Sequence, residues 1–193
     1  MATEVEICNS ALIKLGVEVI VSLTESSKAA RLCNEQYPKI RDKMLESHFW
    51  NFSMKRVALA IVTADSPPIF GYDLVYQLPS DVLRVLDVNE PGNSFKVEQN
   101  RYLHTNLSDA KILYISKETD VSKYSSMFKE LVAFDLAIDL CMALTQKRSL
   151  RSDLKEDKSE FMRDARSADA QEGYMDQIND DVWLDSRDSY GIL

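Results

Sequence analysis

Apolar positions recur every three or four residues up to about residue 50, alternate from about 52 to 116, and return to helical spacing after 125. In the first stretch, Val5, Cys8, Leu12 and Leu15 make one stripe. Thr3 with Glu6 three residues on forms a capping box before it, and Gly16 supplies a left-handed stop after it. A second helix begins near Thr24 to Ser27, with Ala29, Cys33, Tyr37, Ile40, Met44 and Leu45 on its apolar side. Arg31, Lys39, Arg41, Asp42, Lys43 and Glu46 are left to face water or a partner. Pro38 removes one backbone hydrogen bond inside this helix, which predicts a kink or break near Asn34. Phe49, Trp50 and Phe52 then concentrate aromatic area where the helix stops, as a hinge between packed layers would need.

Alternation follows. Tyr72, Leu74, Tyr76 and Leu78 recur at every second residue, as do Phe95 and Val97, and Lys111 to Ile115 closes the set. Pro67-Pro68, Pro79, Pro91-Gly92 and the polar stretch 105–109 divide the region into four or five short strands of one small antiparallel sheet. A third helix, capped by Ser125 or Ser126 and running to about Lys147, is apolar nearly all round except for one acidic stripe. A fourth, from about Leu150 to Glu172, carries Leu150, Leu154, Phe161, Ala165 and Ala168 on one narrow face, and Gly173 ends it. The expected fold class is α+β and mainly helical, a bundle of about four helices. Residues 1–50 and 118–173 make the helical domain, 51–117 a β subdomain inserted between helices 2 and 3, and 174–193 an extended C-terminal arm.

Composition bounds this picture. A chain of 193 residues with 45% hydrophobic and 28% charged residues can bury a core as one domain. The opening Met-Ala-Thr-Glu-Val-Glu lacks the build of a signal peptide. The most apolar run, Leu131 to Leu144, is interrupted by Asp135 and Asp139 and is too short to cross a bilayer, so no membrane partner is expected. Cys8, Cys33 and Cys141 are odd in number, far apart in sequence and each on an apolar helix side, which points to buried free thiols. The net charge of −8 is uneven: the part up to Ser149 carries −2 and the part from Leu150 onward −6. Tight binding to DNA phosphates needs a basic surface and is disfavoured; a basic protein partner fits the acidic end better.

Chemistry is scarce. Five scattered glycines offer no phosphate-cradling loop, and His48 and His104 have no metal-box or triad pattern around them. His48, beside Trp50 at a helix end, reads as a packing or hydrogen-bonding residue. Asp180, Asp181, Asp185 and Asp188 lack the glycine and spacing of a calcium loop. No enzyme activity, cofactor or metal is expected. Asp135 and Asp139, four apart on a greasy helix, share one face. They are either its one exposed stripe, or a face that meets a neighbouring subunit's cation or lines an acidic lumen. The terminal segment holds Tyr174, Ile178, Trp183, Leu184, Tyr190 and Leu193, too much apolar area for a solvated tail and too little pattern to fold alone. These six are the expected partner-interface residues of an arm that orders on a partner, the alternative being a segment folded back on its own domain.

Several stretches together carry a resemblance. Ile7 to Gly16 is a short helix ending in Leu-Gly, and Ile20-Val21-Ser22-Leu23 is the connection after it. The long helix bearing Ala30, Tyr37, Arg41, Asp42 and Leu45 finishes in Trp50-x-Phe52, and a turn Leu78-Pro79-Ser80-Asp81-x-Leu83-Arg84 comes later. Over about the first 90 residues this pattern resembles the phage head-to-tail adaptor (connector) family, which includes the tail tubular proteins of short-tailed phages; beyond that only the order of elements is similar. The resemblance implies a structural virion protein of the neck and tail, assembled in the host cytoplasm. It would form a homo-oligomeric ring of twelve copies below the portal protein. The ring would extend the DNA channel without binding DNA specifically and support a downstream tail or nozzle protein. The alternative from the residues alone is an intracellular helical interaction module or regulator that binds a basic partner through its acidic C-terminal arm.

Overall fold

A computed structural model describes residues 3–62, 70–90 and 93–171. Four helices dominate: α1 (Glu4–Leu15), α2 (Lys28–Glu46), α3 (Ser126–Leu144) and α4 (Arg148–Gln171). Between α2 and α3 lie six strands, β1 (Met54–Ala58), β2 (Leu74–Gln77), β3 (Val82–Val88), β4 (Phe95–Glu98), β5 (Tyr102–Thr105) and β6 (Lys111–Ser116). The class is α+β and mainly helical, with the strands inserted between helices 2 and 3. The expected single sheet is two: β1-β6-β3 and β2-β5-β4, both antiparallel. Strand β6 is the reason. Ile115 packs into the helical core while Ile112 and Tyr114 pack into a second core with Tyr76, Leu78 and Leu103 of the other sheet. A strand that buries both faces cannot be the outer layer, so a second sheet covers it.

Local signals operate as their chemistry requires. The Thr3 hydroxyl accepts from the Glu6 amide at 3.3 Å and the Glu6 carboxylate accepts from the Thr3 amide at 3.1 Å, closing the capping box. Gly16 sits at φ 66°, where a side chain would be strained, and its amide is donated back to Ile13. Ser27 and Ser125 cap α2 and α3 through their hydroxyls. Pro38 does not break α2, which runs as one helix through it. Asn34, whose carbonyl loses its donor, is on the exposed side of the helix, where the loss of one backbone bond is tolerated. Helix α3 ends at Leu144 rather than Lys147, because the Thr145 hydroxyl and amide both turn back to the Cys141 carbonyl and Gln146 adopts φ 58°.

Helix α3 is the centre of the bundle, with α1, α2 and α4 each packed against it. Its buried set, from Phe128 round to Cys141, covers nearly the whole circumference. No helix among the described residues is long and apolar enough to cross a membrane. Trp50 closes the end of the bundle. It is fully buried, donates its indole N–H to the Met44 carbonyl at 3.0 Å, and meets Phe128 edge-on at 5.2 Å. Phe52 and Tyr124 complete the aromatic cluster, tying the end of α2, the entry to β1 and the start of α3 to one point.

Candidate interaction surfaces

The acidic positions of α3 divide between inside and outside. Asp135 is buried, and its carboxylate takes the Lys158 ammonium of α4 at 2.5 Å. It is therefore enclosed beneath α4 rather than part of an exposed stripe, and it lines the groove between the two helices. The cation it requires comes from the same chain, because α4 lies directly over that turn of α3. One turn further on, Asp139 is exposed. It shares a groove between α3 and α4 with Lys43 of α2 and with Arg151, Lys155, Arg163 and Arg166 of α4. The acidic face expected at 135 and 139 is therefore the floor of a mainly basic groove. On the opposite side of α3, Glu130 holds Lys14 of α1 at 2.5 Å, and that lysine also lies 3.9 Å over the Phe134 ring.

Arg41, expected to face water or a partner, is buried at 5% exposure. Its guanidinium bonds Asp42 at 2.7 and 2.8 Å and approaches Glu4 of α1 at 3.9 Å; the other oxygen of Asp42 takes Lys117 at 2.7 Å. The chain leaving β6 passes beside α2 here, so one ionic cluster joins α1, α2 and the strand subdomain. A guanidinium tolerates such enclosure when its donors are taken up by carboxylates. Nearby, Cys8 of α1 and Cys33 of α2, distant in sequence, lie against each other as free, buried thiols. Their mutual hydrogen bond and burial push the Cys8 thiol well above the usual range, which keeps it protonated and unreactive. Cys141 is buried and free as well.

His48 has a carboxylate partner that sequence separation conceals. Its Nε2 lies 3.4 Å from Asp169 near the end of α4, and Asp169 is itself buried. The Asn51 amide donates to the Asp169 carboxylate at 3.3 Å, and the Asn51 side chain donates to the Asp169 backbone carbonyl at 2.6 Å. This clasp fastens the last turn of α4 beside the Trp50 cluster. Burial holds the His48 pKa below the ordinary imidazole value, and the nearby Asp169 charge opposes that only in part. Because the folded protein binds this proton less readily than the unfolded chain, stability falls as pH drops from about 7 through the imidazole range. We expect His48→Gln to flatten that part of a Tm-against-pH curve measured between pH 7.5 and 5. A variant curve parallel to wild type would assign the slope to other groups.

Beside the clasp runs an apolar groove lined by Phe49, Met54, Arg84, Leu86, Leu113 and Ala170. Phe49 is half exposed there, and the Arg84 guanidinium lies 5.3 Å from its ring. His104 meets Glu98 across β4 and β5 at 3.6 Å. Among the described residues no group of three or more His, Cys, Asp or Glu side chains is placed to hold a metal ion. Tyr174, Ile178, Trp183, Leu184, Tyr190, Leu193, Gly173 and the Asp180–Asp188 run lie outside the described residues. Compared with known proteins, the chain matches no protein-family model and no curated protein sequence.

Proposed function

We propose that this chain is a structural virion protein, a head-to-tail adaptor that forms a ring below the portal, extends the DNA channel and carries the tail or nozzle. One observation supports this reading above the others. The order α1–α2, strand insertion, α3–α4 is the order the resemblance implies, and the resembling motifs occupy joints of that architecture. Gly16 ends α1, Trp50 and Phe52 fill the junction of helices and sheet, and Asp81 anchors the turn before β3, taking Lys55 at 3.1 Å and the Tyr114 hydroxyl at 3.3 Å. Such a protein works by binding rather than chemistry, and a closed ring requires two different, complementary patches on each copy. The net charge of −8 suits a channel wall that lets polyphosphate slide past, because DNA finds few counter-charges on which to dwell.

Quantitative mass spectrometry of purified phage particles tests this directly. We expect a copy number equal to that of the portal protein, twelve for a ring matched to portal symmetry. Absence from particles would overturn the reading and turn attention to the intracellular interaction module.

A further inference from the structure

Helix α4 carries its charges in an arrangement that its own packing does not require. Its 24 residues include Arg148, Arg151, Lys155, Lys158, Arg163 and Arg166 against Asp153, Glu156, Asp157, Glu160, Asp164 and Asp169, so the helix is neutral overall. The two signs are nevertheless sorted onto different sides. With 3.6 residues per turn, most of the cations lie about a quarter-turn to one side of the buried stripe of Leu154, Ala165 and Asp169 and, Asp169 aside, the carboxylates lie about a third of a turn to the other, with Arg163 on the outer face between the two groups. Like charges therefore stack along the helix: Asp153 with Asp157, Glu156 with Glu160, Glu160 with Asp164, and opposite them Arg148 with Arg151 and Arg151 with Lys155. At these spacings neighbouring like charges destabilise a helix, whereas interleaved signs would stabilise it.

Tertiary contacts leave this segregation uncompensated. Among the described residues, Lys158 is the one flank cation held in a salt bridge, to Asp135, and none of the five acidic-flank carboxylates is held in one. Asp153, Glu156, Asp157, Glu160 and Asp164 are all exposed, as are Arg148, Lys155, Arg163 and Arg166. The basic flank also forms one wall of two successive depressions along the helix, joined by Lys43 from α2. It is thus a concave, mainly cationic track with Asp135 and Asp139 of α3 in its floor, while the acidic flank is an exposed anionic ridge over the turns from Asp153 to Asp164. The two are complementary in sign, overlap along residues 153–164 and are carried by the same helix.

We infer that these flanks are the two halves of a head-to-tail contact between copies of this chain, the acidic ridge of one α4 seating on the basic track of the next. The inference rests on the ring reading above and assigns it an interface. A second copy is favoured over a nucleic acid or another anion because those would use the basic track alone and leave the acidic ridge without a partner.

Charge exchange in the full chain is the test, read by sedimentation velocity with circular dichroism to confirm folding. Wild type should self-associate at about 50 mM salt and return toward monomer at about 0.5 M, where screening shortens to a few ångströms. The acidic-ridge reversal D153K/E160K/D157K/D164K and the basic-track reversal R148E/K155E/R163E/R166E should each stay monomeric at concentrations where wild type assembles. An equimolar mixture of the two should assemble again, because each flank then meets its opposite on the other variant. That rescue also shows that both variants fold. Wild-type rings that survive either reversal overturn this interface and leave the ring standing. If only the basic reversal prevents assembly, the track is met by another anion, such as residues 172–193 or nucleic acid, and the interface is overturned. A wild-type chain that stays monomeric at low salt overturns it too, while the copy number in particles separately decides the ring.

Discussion

Replacing Trp50 with alanine is expected to cost about 3–5 kcal/mol of folding stability, the range for removing a fully buried large aromatic side chain. The indole is at 0% exposure at the meeting point of α2, β1 and α3, in edge contact with Phe128 and the His48 ring. The rigid backbones around it cannot collapse into the space, so a cavity adds to the lost burial. Trp50→Phe should cost much less, under about 2 kcal/mol, because the Met44 carbonyl keeps a second donor in the Ser47 hydroxyl at 2.8 Å. Urea unfolding at constant slope measures both. A shift below about 1 kcal/mol for the alanine variant would show that the aromatic cluster does not hold the helical layer to the sheet.

The second large effect concerns Asp135. Lys158→Met leaves its carboxylate inside the α3–α4 contact without a cation, where removal of one partner is far costlier than removal of both. With side-chain exposures of 10% and 22% for Asp135 and Lys158, some water reaches the pair. The single variant should therefore lose about 2–3 kcal/mol rather than the full cost of a deeply buried pair. Asp135→Leu combined with Lys158→Met should return to within about 1 kcal/mol of wild type, since removing both partners leaves no uncompensated buried charge. The double-mutant cycle is the check. A double variant no more stable than the single one would mean that the pair positions α4 rather than merely neutralising a charge.

Much of the architecture was legible from residue order, and the reasons are local. The capping box at Thr3 and Glu6 and the stop at Gly16 act within one turn of chain, so no distant contact was needed to place α1. The change from three-and-four spacing to alternation located the strand insertion, because the two periods answer to different backbones. Number and pairing of sheets were another matter. Nothing in the alternation of Ile112 to Ile115 says that both faces of β6 are covered, or that β5 pairs with strands other than its sequence neighbour β6. Strand pairing is a long-range choice, settled by which faces remain uncovered after the helices have packed.

The site residues divide in the same way. Arg41 falls at helical spacing with Tyr37, Met44 and Leu45, so its position alone placed it near the buried stripe, and its charge argued for water. Glu4 and Asp42 reverse that by neutralising it inside. Asp135 reads like Asp139 in sequence, yet one is enclosed by α4 and the other is not. The partnership of His48 with Asp169 joins residues over a hundred positions apart, as does that of Lys14 with Glu130. The sorted charges of α4 were available to periodicity, but they acquire meaning only once the buried stripe shows which sides remain outside.

Residue order alone therefore specified the four helices, the capped starts of α1, α2 and α3, the stop at Gly16, the place of the strand insertion and the scarcity of sequence motifs for catalysis, because each depends on neighbours within a few residues. Tertiary structure decided the two-sheet arrangement, the internal use of Arg41, Asp135 and His48, and the exposure of two opposed charged flanks on one helix. A charge has no fixed environment along the chain: whether it is solvated, paired or left facing outward depends on what folds across from it.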